Sequence, residues 1–465
     1  MKKKLLSLML AGVLAVTALA ACGGSGSAGS DGAADSSAEE TADADAGSSA
    51  DSSAEEEEVA LIGSSDDPNT LTVAAWDANF NIPALEAAEA AYQKVNPDFK
   101  LEIQEVSASS DVENAITLAG SSGDYSQLTD IVLFQDHYIN QFMMNYPDAW
   151  QPLTKDADWS GFSDDKLSYS TFDGTHYGMP VDNGAAIFAY RTDILEQAGY
   201  TVDDFTGITW DKWLEQAKVV KEKTGYALMS MDHNGDDLPY MMMQAEGASQ
   251  WKDGKANLVG NDTFKSIIEV IVQGAQDGTI ILANDWSEYT DTTIIGDQVA
   301  GVFNGNWIIP TMKQNTAASG NWVVTTIPTL SGKEGYAANG GSSLYVTSNC
   351  QKADLASDFL TYTFGGGDGA IETYDAALTN GGVISCYGPA GKSDLYNQPD
   401  EFFGGQTVYA DIVENGTHVP AVEQSDYHYD LRTLVGNLIT NVINGNDIDA
   451  EIENAQSEIE FTMEE

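Results

Sequence analysis

"LTVAAWDANFNIPALEAAEAAYQKVNP", Leu71 to Pro97, changes its hydrophobic period part-way along, and that change decides the fold class. Leu71-Thr-Val-Ala-Ala-Trp76 is a short apolar run with the length of a buried strand. The pattern then turns helical at Asn81-Ile-Pro83, where a first-turn proline is tolerated. Leu85, Ala88, Tyr92 and Val95 fall on one face, and Asn96-Pro97 ends the element. A strand feeding directly into an amphipathic helix is the unit of an α/β protein.

The same alternation continues outward. Leu101 to Val106 alternates like a strand, and Ile131-Val-Leu-Phe134 is another short apolar strand followed by a helix through Phe142 to Tyr146. Thr209 stands as an N-cap before Trp210, Trp213, Leu214, Ala217 and Val220, with Gly225 at the far end. Phe264, Ile267, Ile268 and Ile271 form a helical stripe closed near Gly278, and Leu355, Phe359 and Leu360 form another. Leu431, Leu434, Val435, Leu438 and Val442 repeat at helical spacing, and Ile448, Ile452, Ala455 and Ile459 continue after Gly445-Asn446. About 400 residues of this kind suit two lobes better than one core.

Ahead of the folded part, Lys2 to Lys4 precede an apolar run, Leu5 to Ala18, too short to span a bilayer comfortably. Leu19-Ala-Ala-Cys22 resembles the lipobox of bacterial lipoproteins, which implies cleavage after residue 21 and lipidation of Cys22. Residues 22–67 then form an acidic linker, and from Gly23 it carries thirteen Asp and Glu and no base. Such a segment cannot bury enough apolar surface to offset the entropy of ordering it.

The chain's formal charge of −52 makes nucleic acid an improbable partner, because phosphate binding needs clustered Lys and Arg. A cationic ligand such as a polyamine stays open. Cys350 and Cys386 could form a bridge or two buried thiols. Patterns for cofactor or catalytic chemistry fall short. Gly365-Gly-Gly-Asp-Gly-Ala370 follows a helix rather than a strand, so it reads as a loose helix cap, not a nucleotide cradle. Asp232, Asn234 and Asp236 begin like a calcium loop, but Asp237 and Met243 occupy the positions of its glycine and glutamate. The five histidines show no metal-binding spacing, and there is no nucleophile elbow. No metal, cofactor or catalytic residue is expected.

Several segments, in order, resemble the extracellular solute-binding proteins of bacterial ABC importers, particularly the sugar-binding, maltodextrin-binding-like group. They are "YGMPVDNGAAIFAYRTDILEQAGY" (177–200), "TWDKWLEQAKVVKEKTGY" (209–226), "GDQVAGVFNGNWIIP" (296–310), "ANGGSSLYVTSN" (338–349) with "ADLASDFLTYTFG" (353–365), and "INGNDIDAEIENAQSEIE" (443–460). The resemblance implies a two-lobed, periplasmic-binding-protein-like fold of the maltose-binding type, with the ligand in a cleft that closes about a hinge. It places residues 68–180 and 336–380 in an N-terminal lobe and 181–335 and 381–465 in a C-terminal lobe. It implies a monomer outside the cell, tethered by its lipid, that hands a di- or oligosaccharide to permease subunits and catalyses nothing.

A neutral sugar needs aromatic faces for its C–H surfaces and planar amides or carboxylates for its hydroxyls. Trp76, Asp77, Asn79 and Phe80 fit where the first strand meets its helix, against core packing or a helix cap as the simpler roles. Gln135 and Asp136 close the third strand, and Asp182 and Asn183 stand at the expected first crossing between lobes, as ligand or hinge residues. The resemblance adds Asn306 and Trp307, and Trp286 precedes them by a segment. Gly340, Gly341 and Ser342 could offer backbone N–H groups, or simply form a return turn. If the solute is a polyamine instead, Asp77, Asp136 and Asp182 would pair with its amines. A surface glycoside hydrolase is the rival from the enzyme class.

Overall fold

The computed structural model describes residues 60–463 apart from 79, 108, 234–236 and 426. The leader, Cys22, residues 23–59 of the acidic linker, Asn79, Asn234 and Asp236 lie outside the described residues. No helix among the described residues is long and apolar enough to cross a membrane.

The strand Thr70–Trp76 is buried nearly throughout, which is why it reads as a continuous apolar run. It pairs in parallel with Lys100–Val106 on one side and Ile131–Gln135 on the other. Ser342–Thr347 then joins antiparallel to Ile131–Gln135, with Ser342 opposite Gln135, and carries the short strands Trp150–Gln151 and Gly178–Pro180. Alternate side chains face opposite layers, as period-2 geometry requires. Leu71, Val73 and Leu133 meet the helices Asn81–Tyr92, Ala353–Thr363 and Ala370–Gly381. Ala74, Val132 and Phe134 meet Ser109–Ser122 and Asp136–Asn145.

One expectation fails here. The first helix ends at Tyr92, and Val95 lies beyond it, 57 % exposed. Pro97 biases Asn96 away from helical angles, and the chain turns before that point instead of carrying the apolar face onward.

A second assembly is built on Ala186–Arg191, flanked antiparallel by Gly301–Gly305 and Trp322–Thr325, while Met229–Asp232 pairs in parallel with Ile280–Ala283. Helices Trp210–Thr224, Asp262–Gln276, His428–Ile443 and Ile448–Thr462 share its core. Thr209 caps the first of these by accepting from the Lys212 N–H, and Gly225 ends it in the left-handed region at φ 85°. Trp210 and Trp213 are fully buried, and the Trp213 indole donates to the Tyr190 hydroxyl at 2.9 Å. Helix Ala353–Thr363 runs into the glycine stretch as a cap, not out of a strand. Cys350 and Cys386 are both free thiols, and burial pushes each up to about 12.

Three stretches join the assemblies and hydrogen-bond to one another. The Val181 N–H donates to Ser342 O at 3.1 Å, Asn183 N–H to Ile384 O at 2.8 Å, and Asn339 N–H to Gly184 O at 2.7 Å. Inside this junction Lys166 forms a buried ion pair with Asp136, and Asp182 accepts from the Ser342 N–H. Burial raises Asp165 to about 7 and Asp182 to about 6, although Lys166 pulls both down. Burial also opposes the Lys166 charge, but Asp136 and Asp182 outweigh it and hold the ammonium protonated. Gly341 sits at φ 103°, and a Cβ there would lie 2.5 Å from Lys166 Nζ. Only glycine fits beside the pair.

Candidate ligand-binding site

The registers Val73–Ile131 and Ala74–Val132 put Trp76 level with Phe134. The chain after Trp76, beginning at Asp77, and the helix Asp136–Asn145, which follows Gln135 directly, therefore leave the same carboxyl edge of the parallel strands, where open α/β sheets bind ligands. Trp76 is half-buried, Asp77 is exposed with φ 71°, and Phe80 packs toward Ala84, Ala377 and Val383.

Opposite the first turn of helix Asp136–Asn145 stands the start of helix His428–Ile443, and aromatic rings from the two assemblies meet there. Tyr138 stacks on Tyr429 with centroids 3.8 Å apart and planes 4° from parallel. The Tyr429 hydroxyl donates to Gln135 Oε1 at 3.2 Å, and the Arg432 guanidinium lies 4.4 Å from the Tyr429 ring centre. The His137 ring is 4.8 Å from that of His428 and 5.2 Å from that of Tyr240. Gln424 donates to the hydroxyls of Tyr240 and Tyr169 at 2.8 and 3.2 Å. A groove of about 800 Å³ adjoins, lined by Tyr138, Tyr429, Arg432, Leu434 and Phe461 among others.

Charge here is tightly arranged. Burial, helped by neighbouring His428, depresses His137 to about 3, so its imidazole is neutral at physiological pH. Burial works against the Asp237 carboxylate, but the His428 hydrogen bond at 2.9 Å and Arg432 at 3.1 Å hold it below the usual carboxylate range.

A second aromatic shelf comes from the other assembly. Trp286 is 45 % exposed, 5.7 Å from Trp307 and 5.1 Å from Tyr289, which lies in the π-helical segment Glu288–Ile295. The Trp307 indole donates to Asn339 O at 2.8 Å, Asn339 Nδ2 to Asn304 Oδ1 at 2.7 Å, and Asn304 Nδ2 to the Tyr289 hydroxyl at 3.0 Å. Asn306 is buried, and its amide nitrogen finds no partner among the described residues. Gly305 makes the close approach possible, since a Cβ there would meet Trp307 Nε1 at 2.3 Å. Asn339 and Ser342 are joined by the two glycines Gly340 and Gly341, both at positive φ, and Ser342 lies opposite Gln135. That junction stretch links the two aromatic sets.

Of the residues singled out from sequence, Trp76 and Gln135 end their strands at this edge, Phe80 precedes the first helix, Trp286 stands just ahead of the π-helical segment, and Trp307 lies in the short helical turn Asn306–Ile308. Asp136, Asp182, Gly341 and Ser342 belong to the junction, with Gly340 beside them at φ 73°. Asn183 joins them: its amide donates to Ser385 O at 3.1 Å and accepts from the Ala185 N–H at 2.8 Å. Tyr138, Tyr240 and Tyr429 were not singled out from sequence; His137 stood only among the five histidines, Asp237 only as the residue that breaks the calcium-loop pattern, and His428 was weighed as a ligand contact but not chosen. The run Tyr427-His428-Tyr429 at a helix start was the available signal.

The family of bacterial extracellular solute-binding proteins matches residues 87–379 of this chain. The chain belongs to that family. This solute-binding protein is 33 % identical over 384 residues to the lactose-binding protein of Rhizobium radiobacter, covering 82 % of this chain and 89 % of that one. Among solved structures it resembles the sugar-binding protein MalE from Xanthomonas citri, with TM-score 0.70 at 18 % identity over 84 % of this chain and 96 % of the other. It also resembles an ABC-transporter-associated binding protein from B. animalis subsp. lactis in complex with beta-1,6-galactobiose, with TM-score 0.64 at 21 % identity and the same coverage. The solute-binding protein thus has the two-lobed α/β fold of the maltose-binding type, and the junction is where its lobes connect.

Proposed function

We propose that this solute-binding protein captures a neutral disaccharide or short oligosaccharide, a lactose-like β-galactoside first among them, and delivers it to the permease of an ABC importer. The observation that carries this reading is the aromatic shelf of Trp286, 45 % exposed, against Trp307, beside the Asn306 amide whose nitrogen has no partner among the described residues. Rings cover the C–H faces of a sugar while amides match its hydroxyls in pairs. The identity to a lactose-binding protein over most of both chains supports it.

In this reading residues 68–180 and 336–380 form one lobe, and 181–335 with 381–465 form the other. Trp76, Asp77, Asn79, Phe80, Gln135, Trp286, Asn306 and Trp307 contact solute, while Asp136, Asp182, Asn183, Gly340, Gly341 and Ser342 act from the hinge. The chain is a monomer, held outside the cell by lipid on Cys22, and performs no catalysis. The polyamine alternative is disfavoured because Asp136 is already paired with Lys166, and Asp182 with the Ser342 N–H.

The test is a thermal-shift and calorimetric titration with lactose, other neutral disaccharides and spermidine at two salt concentrations. A salt-insensitive response to a disaccharide, recovered unhydrolysed, supports the reading. A salt-sensitive response to spermidine alone overturns the sugar. Released monosaccharide overturns the absence of catalysis.

A further inference from the structure

His137, Asp237 and His428 are far apart in sequence, yet one donor atom from each lies within 4.8 Å of the other two. All three side chains are more than nine-tenths buried, at 4 %, 6 % and 3 % exposure. Both ring nitrogens of His137 and Nδ1 of His428 have no hydrogen-bond partner among the described residues. His428 Nε2 already meets Asp237 Oδ1 at 2.9 Å, and His137, whose two nitrogens are both open, brings a third donor atom to the same point. Buried polar atoms are ordinarily satisfied, so the open imidazole of His137 beside this pair points to a missing partner. A Lewis acid that takes electron pairs from imidazole and carboxylate together fits the lone-pair nitrogens and the Asp237 oxygen at this point.

We propose that His137, Asp237 and His428 bind a divalent cation of the zinc class between the two lobes and so favour the closed cleft. Two imidazoles and one carboxylate are a donor set suited to Zn²⁺ and to Cu²⁺ or Ni²⁺, and unsuited to Mg²⁺ or Ca²⁺, which take oxygen ligands. Zinc binds such donors at about 2.0–2.2 Å, placing them roughly 3.3 Å apart in a tetrahedron. The present spacing closes to that with side-chain shifts of about an ångström. Three protein ligands leave a fourth position for water or a solute hydroxyl. Asp237 is already oriented by Arg432 at 3.1 Å, which fixes one carboxylate oxygen and leaves the other toward the histidines.

The placement makes the site regulatory. His137 stands in the first turn of helix Asp136–Asn145, which packs under the first sheet through Ile139 and Phe142. Asp237 precedes the helix Leu238–Ala245, and His428 begins His428–Ile443, both of which pack in the second assembly through Leu238 and Leu431. A cation held by all three draws the two together beside the Tyr138–Tyr429 stack. Lys166 and Arg432 are the nearby cations, and each is matched by its own carboxylate, Asp136 and Asp237. The inference rests on the capture of solute between the lobes.

The experiment is isothermal titration of EDTA-treated full-length chain with Zn²⁺, and with Mg²⁺ as control. His137→Gln and His428→Gln follow under the same conditions, and Co²⁺ absorption serves as a second readout. Expected are one Zn²⁺ per chain, no response to Mg²⁺, affinity lowered at least tenfold in each variant, and tetrahedral Co²⁺ bands lost in both. Zinc bound equally by wild type and variants would assign it to the many surface carboxylates and overturn the proposal, as would no binding at all. Lactose titrated into the EDTA-treated wild type reports on solute capture alone. A failure there would sink the sugar reading while the zinc titration still stands or falls by itself.

Discussion

Replacing Lys166 by methionine keeps the stem's volume and removes only its charge. Lys166 is 3 % exposed and Asp136 is 0 % exposed, with the buried carboxyls of Asp165 and Asp182 alongside. Breaking a buried pair by removing one partner costs about 3–5 kcal/mol, because the other charge is left without compensation. At about 2.1 cal/mol/K per residue over about 400 residues, the unfolding entropy converts this loss into a fall of roughly 4–6 °C in Tm. The effect has a pH signature. Lys166 lowers the pKa of Asp165 and Asp182, so without it both move higher and take up protons more readily in the fold. The penalty is therefore largest near pH 8 and shrinks toward pH 5. Urea unfolding at both pH values measures it, and the double variant Lys166→Met, Asp136→Asn should recover at least half of the loss. A cost below about 1 kcal/mol at pH 8, or one equal at both pH values, would refute the account of the junction as a charge-balanced hinge core.

Four further outcomes follow from the structure. Trp286→Ala, at a ring 45 % exposed, should leave Tm nearly unchanged while weakening disaccharide binding by about 1 kcal/mol, roughly fivefold, by calorimetry. Asp165→Asn tests the buried acid: its raised pKa of about 7 means the folded state holds a proton the unfolded state has lost between about pH 4 and 7. Wild-type stability from this group falls as pH rises through that window, so the variant should gain stability at pH 8, on the order of 2–4 kcal/mol, and none at pH 4. Gly341→Ala, at φ 103° and against Lys166, should destabilise by about 2 kcal/mol or more in urea unfolding, and Lys166→Met in that background should cost less than it does alone. Cys350 and Cys386, both buried with thiols near 12, should resist a thiol reagent at pH 8 until denaturant is added.

Local rules carried the fold a long way. Thr209 and Gly225 bound their helix because a hydroxyl cap and a left-handed glycine act within one turn of chain. Leu71 to Trp76 could be read as a buried strand because helices cover both of its faces. Val95 misled because helical spacing alone does not say where a helix stops. For the site, Trp307 and Gln135 were legible as an aromatic and an amide beside expected strand ends. Asp136 and Asp182 were chosen as acids near a cleft, and nothing local announces that Lys166, 30 residues from Asp136, lies between them. His137 and His428 had no spacing to betray them, since their partner Asp237 is 191 residues from His428.

The sequence by itself determined the alternation of strand and helix, the acidic surface and the family. These follow from periodicity, capping and composition, which operate over a few residues or over the whole chain at once. The tertiary structure alone decided which charges are matched, which amides are spent in the junction and which rings meet across it. Those depend on strands from distant segments pairing in one sheet, as Ser342 does with Gln135. Only the register of such a pairing brings side chains within hydrogen-bonding reach, and register over such distances is a property of the packed molecule.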